Sequence, residues 1–175
     1  MTIKHERRAA RVTATDGDGR TFTARAVAYD VVDDYRTRFV KGVFNKGLEE
    51  RMPVIAWAHS WDEPIGRVTE FEERDDGLYI TARFSDPEAV PRARQAMSQL
   101  ADGTLSDVSV GFSRTEDRKA EDGVYDIVEA VLDEVSIVLR GAVPGAEIMS
   151  VRSAGGQVTE DEWITVAKKL ARGVP

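Results

Sequence analysis

Tyr125-Asp126-Ile127-Val128-Glu129-Ala130-Val131-Leu132-Asp133-Glu134-Val135-Ser136-Ile137-Val138 is rich in valine and β-branched residues. Such a run reads as one long strand or a bent strand pair. Just upstream, Asp122-Gly123 marks a turn, and residues 104–114 before it are again strand-like. Further out, residues 21–32 alternate in part, with Phe22, Ala24, Ala26 and Ala28 on one side and Thr21, Thr23 and Arg25 on the other. Asp16-Gly17-Asp18-Gly19 reads as a hairpin turn joining that strand to residues 10–14 rather than as a calcium loop, whose full pattern is absent. Residues 53–58 form a short apolar strand ending at His59. Residues 60–64 read as a turn and 65–71 as the next strand. Asp75-Asp76-Gly77 is a hairpin signal before residues 78–84, where Leu78, Ile80 and Ala82 alternate.

Helical periods are few. Phe44 and Leu48 suggest a short helix within 43–50. Ser85-Asp86-Pro87-Glu88 reads as a helix start, and Val90, Ala93, Met97 and Leu100 give it an apolar stripe ending at Gly103. Ala154-Gly155-Gly156 looks like a hinge. A helix over 159–172 follows, with Thr159 and Glu162 at capping-box spacing and Trp163, Val166, Ala167 and Leu170 on one face. The expected fold is mainly β with helices (α+β): an antiparallel, closed or half-closed β-barrel decorated by a central and a C-terminal helix. Residues 1–150 form the barrel domain. Residues 151–175 form the hinge and an amphipathic helix, packed on the domain or carried as a self-processed tail.

Composition removes whole classes of function. The chain has 175 residues, enough for one domain with a real core. Its net charge of −7 argues against nucleic-acid binding and against a polybasic membrane surface. The absence of cysteine rules out thiol catalysis and thiolate metal sites, and two histidines leave little for a metal centre. No apolar run approaches the length of a membrane span, so a cytoplasmic protein without a cofactor or metal is expected.

Three side chains stand out. His59 closes an apolar strand, where an imidazole is suited to general-base work or simply caps a turn. Ser109 shares a strand face with Gly111, which leaves open space beside its hydroxyl; glycine there also fits a bulge. Ser106 and Ser113 are its close competitors. Glu134 and Asp133 lie inside an apolar strand, where an acid needs a partner or solvent. Either forms a cross-strand ion pair, or Glu134 holds the His59 imidazole as in a Ser-His-acid triad.

Four segments in order resemble the prohead maturation proteases of tailed bacteriophages, which share a fold with the herpesvirus assembly proteases. Phe39-Val40-Lys41-Gly42-Val43-Phe44 matches an F-x-x-G-x-F pattern. His59 followed by Ile65-Gly66-Arg67-Val68 is similar to the family's histidine segment. Ser106-Asp107-Val108-Ser109-Val110-Gly111-Phe112 is similar to its S-x-x-S-x-G-F nucleophile segment. Leu132-Asp133-Glu134-Val135-Ser136-Ile137-Val138 is similar to L-x-E-V-S-x-V.

The resemblance implies a serine endopeptidase with His59 as base, Ser109 as nucleophile and Glu134 as third member, where the herpesvirus relatives carry a histidine. It places the oxyanion hole on the loop after the Glu134 strand, so Arg140, Gly141 and Ala142 are the candidates. It implies major capsid protein and scaffold segments as substrates, inside the assembling procapsid in the host bacterial cytoplasm, with a homodimer or higher oligomer left open. A self-cleavage site near the Ala154–Gly156 hinge would fit. The rival reading is a catalytically inactive capsid-assembly or scaffold protein that keeps the fold. A small-ligand barrel gains little from an aromatic content of 7%, and a metal hydrolase gains least, since His5 and His59 are far apart in sequence.

Overall fold

The computed structural model describes residues 19–151. Its elements run β1 (Thr21–Ala28), β2 (Thr37–Phe39), α1 (Asn45–Glu50), β3 (Val54–Trp57), β4 (Ser60–Arg74), β5 (Gly77–Phe84), α2 (Pro91–Ala101), β6 (Asp107–Lys119), β7 (Tyr125–Val138) and β8 (Glu147–Val151). The valine-rich run 125–138 is a single strand, β7. It pairs with β6 along its whole length, then with β2 at one end and β3 at the other. The hydrogen-bonded circuit β7-β3-β4-β5-β1-β8-β6-β7 closes a seven-strand barrel, with β2 attached to β7 outside the circuit.

The expected barrel is present, but it is mixed rather than antiparallel throughout: β2 and β3 both run parallel to β7. The sequence predicts no strand where β8 lies. This strand is only five residues long and follows a loop, yet its pairing with β1 and β6 completes the closure. The expected strand at 10–14 and its turn, the hinge and the C-terminal helix lie outside the described residues.

Two local expectations need correction. The turn after β3 is not 60–64. It is the two residues Ala58 and His59, with Trp57 paired to Ser60 and β4 already running. The central helix starts at Pro91, not near Pro87. Asp86 instead closes a separate turn: its carbonyl accepts the N–H groups of Ala89 and Val90, and its carboxylate accepts that of Glu88. Pro91 then supplies a preset φ at the true first helical position.

The core is the barrel interior. Phe22, Ala24, Ala26 and Ala28 are buried as the alternation predicts, and a bulge between Arg25 and Val27 adds Val27 to the inside. Phe39 stacks on Phe44 at 5.5 Å and edge-on to Phe112 at 5.0 Å. The two phenylalanines of the F-x-x-G-x-F segment thus clamp the strand that carries Ser109 through its own Phe112. Aromatic pairs of this kind are worth about 0.5–1.5 kcal/mol each beyond burial. Among the described residues no helix is long and apolar enough to cross a membrane.

Candidate active site

The site lies on the outer face of the barrel wall, where β6, β7 and β3 run side by side. Strand alternation sends Val108 of β6, Val135 and Ile137 of β7 and Ile55 of β3 inward, each at most 1% exposed. Their neighbours therefore face outward. Ser109 stands opposite Ser136, Gly111 opposite Glu134, Val54 beside Glu134 and Ala56 beside Ser136. An outward-facing carboxylate would normally be wet, yet Glu134 is 3% exposed and Ser136 is completely buried.

The β3–β4 turn provides the cover. Ala58 and His59 both have positive φ, 48° and 61°, which makes the connection a two-residue hairpin of the type that favours asparagine and glycine. Two non-glycine residues in the left-handed region carry strain. The turn is held down at three points. The Ala58 N–H donates to the Ile137 carbonyl at 3.1 Å. The His59 N–H donates to Ser136 Oγ at 2.8 Å. The His59 ring reaches Glu134 Oε1 through Nδ1 at 2.7 Å.

Glu134 Oε2 takes the remaining bond, from the Ser136 hydroxyl at 2.7 Å. A carboxylate only accepts, so Nδ1 carries the proton and Nε2 is left as the basic nitrogen. The imidazole is about half exposed while its acid partner is covered. A cavity of about 20 Å³ lined by Val54, Ala56, His59, Trp61, Pro64 and Glu134 adjoins the pair. A shallow cleft of about 480 Å³, bordered by Asp62, Glu63, Val90 and Arg92, opens further along β4.

The three serines differ in their partners. Ser106 Oγ donates to Asp107 and Ser113 Oγ to Asp133. Among the described residues no protein group is hydrogen-bonded to the Ser109 hydroxyl, which is half-buried. Asp133 falls at a bulge that skips from the Gly111–Glu134 pair to the Phe112–Leu132 pair, and this separates it from Glu134.

The loop after β7 comes back onto the Ser109 strand. Gly141 lies so close that a Cβ there would be 2.6 Å from the Val108 carbonyl, the carbonyl of Ser109's own peptide bond. Its N–H donates to Asp107 Oδ2 at 3.1 Å. The Arg140 side chain is exposed and lies 3.7 Å from Asp34, while the Ala142 carbonyl accepts the Asp34 N–H. Among the described residues the Arg140 and Ala142 N–H groups have no protein acceptor.

Residues 8–161 match the family model described as caudovirus prohead serine protease. The chain belongs to that family. A 76-residue stretch, 41% of the chain, is 29% identical to the capsid polyprotein of Pseudomonas phage PAJU2 and spans 11% of that polyprotein. Among solved structures, the chain is similar to the Kaposi's sarcoma herpesvirus protease in complex with a hexapeptide phosphonate inhibitor. The TM-score is 0.53 at 10% identity, over 90% of this chain and 78% of that one. The same viral protease with an allosteric inhibitor aligns at a TM-score of 0.44 and 12% identity, over 88% of this chain and 92% of that one. At such identity the first likeness shows a shared fold.

Within this prohead-protease fold, His59 and Glu134 are brought together and Ser109 lies one strand from Ser136. Sequence reasoning singles out those three and gives Ser136, a neighbour of Glu134 on its strand face, no role of its own. It also valued Gly111 for space beside Ser109, whereas that space is filled by the Glu134 side chain. A Cβ on Gly111 would lie 3.0 Å from both Cγ and Cδ of Glu134. The signal for Ser136 was available in principle. It sits two residues from Glu134, hence on the same strand face.

Proposed function

We propose that the protein is a serine endopeptidase that cuts capsid-protein and scaffold segments during phage head maturation. Ser109 is the nucleophile, His59 the base and Glu134 the residue that orients the imidazole. The observation that carries this reading is the 2.7 Å bond from His59 Nδ1 to a buried Glu134, on the strand face shared by Ser109. Family membership and the likeness to a capsid polyprotein support the substrate class, since a polyprotein is cut to release its parts.

In the reaction, His59 Nε2 takes the Ser109 hydroxyl proton as Oγ attacks the substrate carbonyl. The imidazolium is stabilised by Glu134. It then gives the proton to the leaving amine as the C–N bond breaks, which leaves an acyl-enzyme. Water, deprotonated by His59, hydrolyses the ester and restores Ser109. The tetrahedral oxyanion needs N–H donors. Gly141's amide is engaged by Asp107, so the Arg140 and Ala142 amides are the donors of this loop, and Gly141 sets their position against the Ser109 strand. The exposed Arg140 guanidinium lies 3.7 Å from Asp34, so it is the Arg140 backbone amide that this reading assigns to the hole.

The decisive experiment is intact-mass spectrometry of the full chain and of Ser109→Ala, with and without a fluorophosphonate probe. One adduct on the wild type that is absent from Ser109→Ala is expected. An adduct that persists in the variant overturns the serine assignment. The absence of any adduct or self-trimming, also after co-expression with capsid and scaffold proteins, favours the inactive assembly protein.

A further inference from the structure

We infer that Ser136 is a positioning residue of the site, one that fixes both the strained turn bearing His59 and the carboxylate that the imidazole uses. The inference rests on the triad reading above and deepens it. Ser136 is completely buried on a strand face that would otherwise open to solvent. Its hydroxyl has one proton and two lone pairs. The proton goes to Glu134 Oε2 at 2.7 Å, and a lone pair accepts the His59 backbone N–H at 2.8 Å.

A closed ring results. It runs from the His59 amide to Ser136 Oγ, on to Glu134 Oε2, across the carboxylate to Oε1, and back to His59 Nδ1. Each link removes a freedom that catalysis cannot tolerate. The Ser136–Glu134 bond stops the carboxylate rotating away from the ring, so that Oε1 alone is presented to Nδ1. The His59–Ser136 bond holds a residue with φ of 61° in place, although the left-handed region disfavours it. Together they fix the tautomer with its proton on Nδ1 and the direction of Nε2. No other side chain among the described residues bonds to both the backbone of His59 and the carboxylate of Glu134. Ser136 touches no reacting atom, so its effect on rate must pass through His59 and Glu134.

The test combines two readouts on the full chain. In the first, fluorophosphonate labelling of wild type, Ser136→Ala, Glu134→Gln and the double variant is resolved into its maximal rate and its half-saturating concentration. The expected result for Ser136→Ala is a maximal rate lower by about tenfold or more, with half-saturation within about twofold. In the Glu134→Gln background the same change should cost less than about twofold, because the imidazole tautomer that Ser136 helps to fix is already lost. An unchanged rate in Ser136→Ala, or the full loss repeated in the Glu134→Gln background, overturns the proposal.

The second readout is the imidazole Nδ1 proton in Ser109→Ala protein, which needs no turnover. With only two histidines in the chain, His5→Gln leaves the His59 signal alone. A protected, strongly downfield Nδ1–H resonance is expected, and adding Ser136→Ala should abolish it. Its persistence would overturn the proposal. If the wild type never labels but this resonance depends on Ser136, the protease reading fails and the positioning role stands. Should Ser136→Ala not fold, Ser136→Cys keeps the volume with a much weaker donor and is read in the same way.

Discussion

Gly111 faces Glu134 across the β6–β7 ladder, and the volume of its missing side chain is where the Glu134 carboxyl group lies. The acid stays tucked against His59 because its cross-strand neighbour has no Cβ. Adding one pushes on Cγ and Cδ from 3.0 Å and on Oε1 from closer still. Gly111→Ala should therefore turn Glu134 off the imidazole. The expected outcome is a loss of fluorophosphonate labelling of about 100-fold or more with the barrel still folded, checked by labelling rate and circular dichroism together.

Glu134→Gln keeps the shape of the side chain and removes its charge. The amide can present a donor to Nδ1, which favours the wrong tautomer. A fall in labelling rate on the order of 10²–10⁴-fold is expected, with little change in probe affinity. A rate within a few-fold of wild type would show that the acid is only a structural neighbour of His59.

Gly141→Ala places a methyl 2.6 Å from the Val108 carbonyl. Backbone cannot yield as a flexible side chain would, so the loop carrying the Arg140 and Ala142 amides must shift away from the Ser109 strand. Labelling should drop about 10²–10³-fold, the usual cost of losing an oxyanion donor. Because the loop is at the surface, the melting temperature should move much less than the rate.

Ala58→Asn addresses the turn itself. Ala58 is exposed with φ of 48°, a conformation that asparagine tolerates far better than alanine. Urea denaturation should show a gain of about 0.5–1 kcal/mol. A loss instead would mean that the turn in solution is not the one described.

The joint between β2 and β7 predicts a pH effect. The Arg38 guanidinium, hydrogen-bonded to Asp126, and Arg118 beside it hold the Asp126 carboxyl below the usual carboxylate range. A carboxyl that is more acidic folded than unfolded adds stability above its unfolded value, near pH 4, and loses it as pH falls through the depressed value. Asp126→Asn should be less stable than wild type at pH 7, with the gap closing below about pH 4 in urea titrations taken at each pH.

Much of this molecule was legible from residue order alone. The alternation of Phe22, Ala24, Ala26 and Ala28, the valine-rich run of β7 and the Asp75-Asp76-Gly77 hairpin are local signals, and short-range sterics and burial enforce them. From residue types alone the approach of His59 to Glu134 is one of two options for the acid, and only the family resemblance favours it, because 75 residues separate the two and no local rule brings them together. Three things were decided by tertiary structure. The parallel seating of β3 on β7 brings the histidine turn to the acid, and parallel neighbours leave no mark in a sequence of short strands. β8 is too short to declare itself and exists because β1 and β6 need an edge filled. Ser136 reads as one more small residue in an apolar strand; its two hydrogen bonds appear only once the His59 turn folds over it. Local order sets which face each side chain takes, but the long-range pairing of strands sets what that face meets.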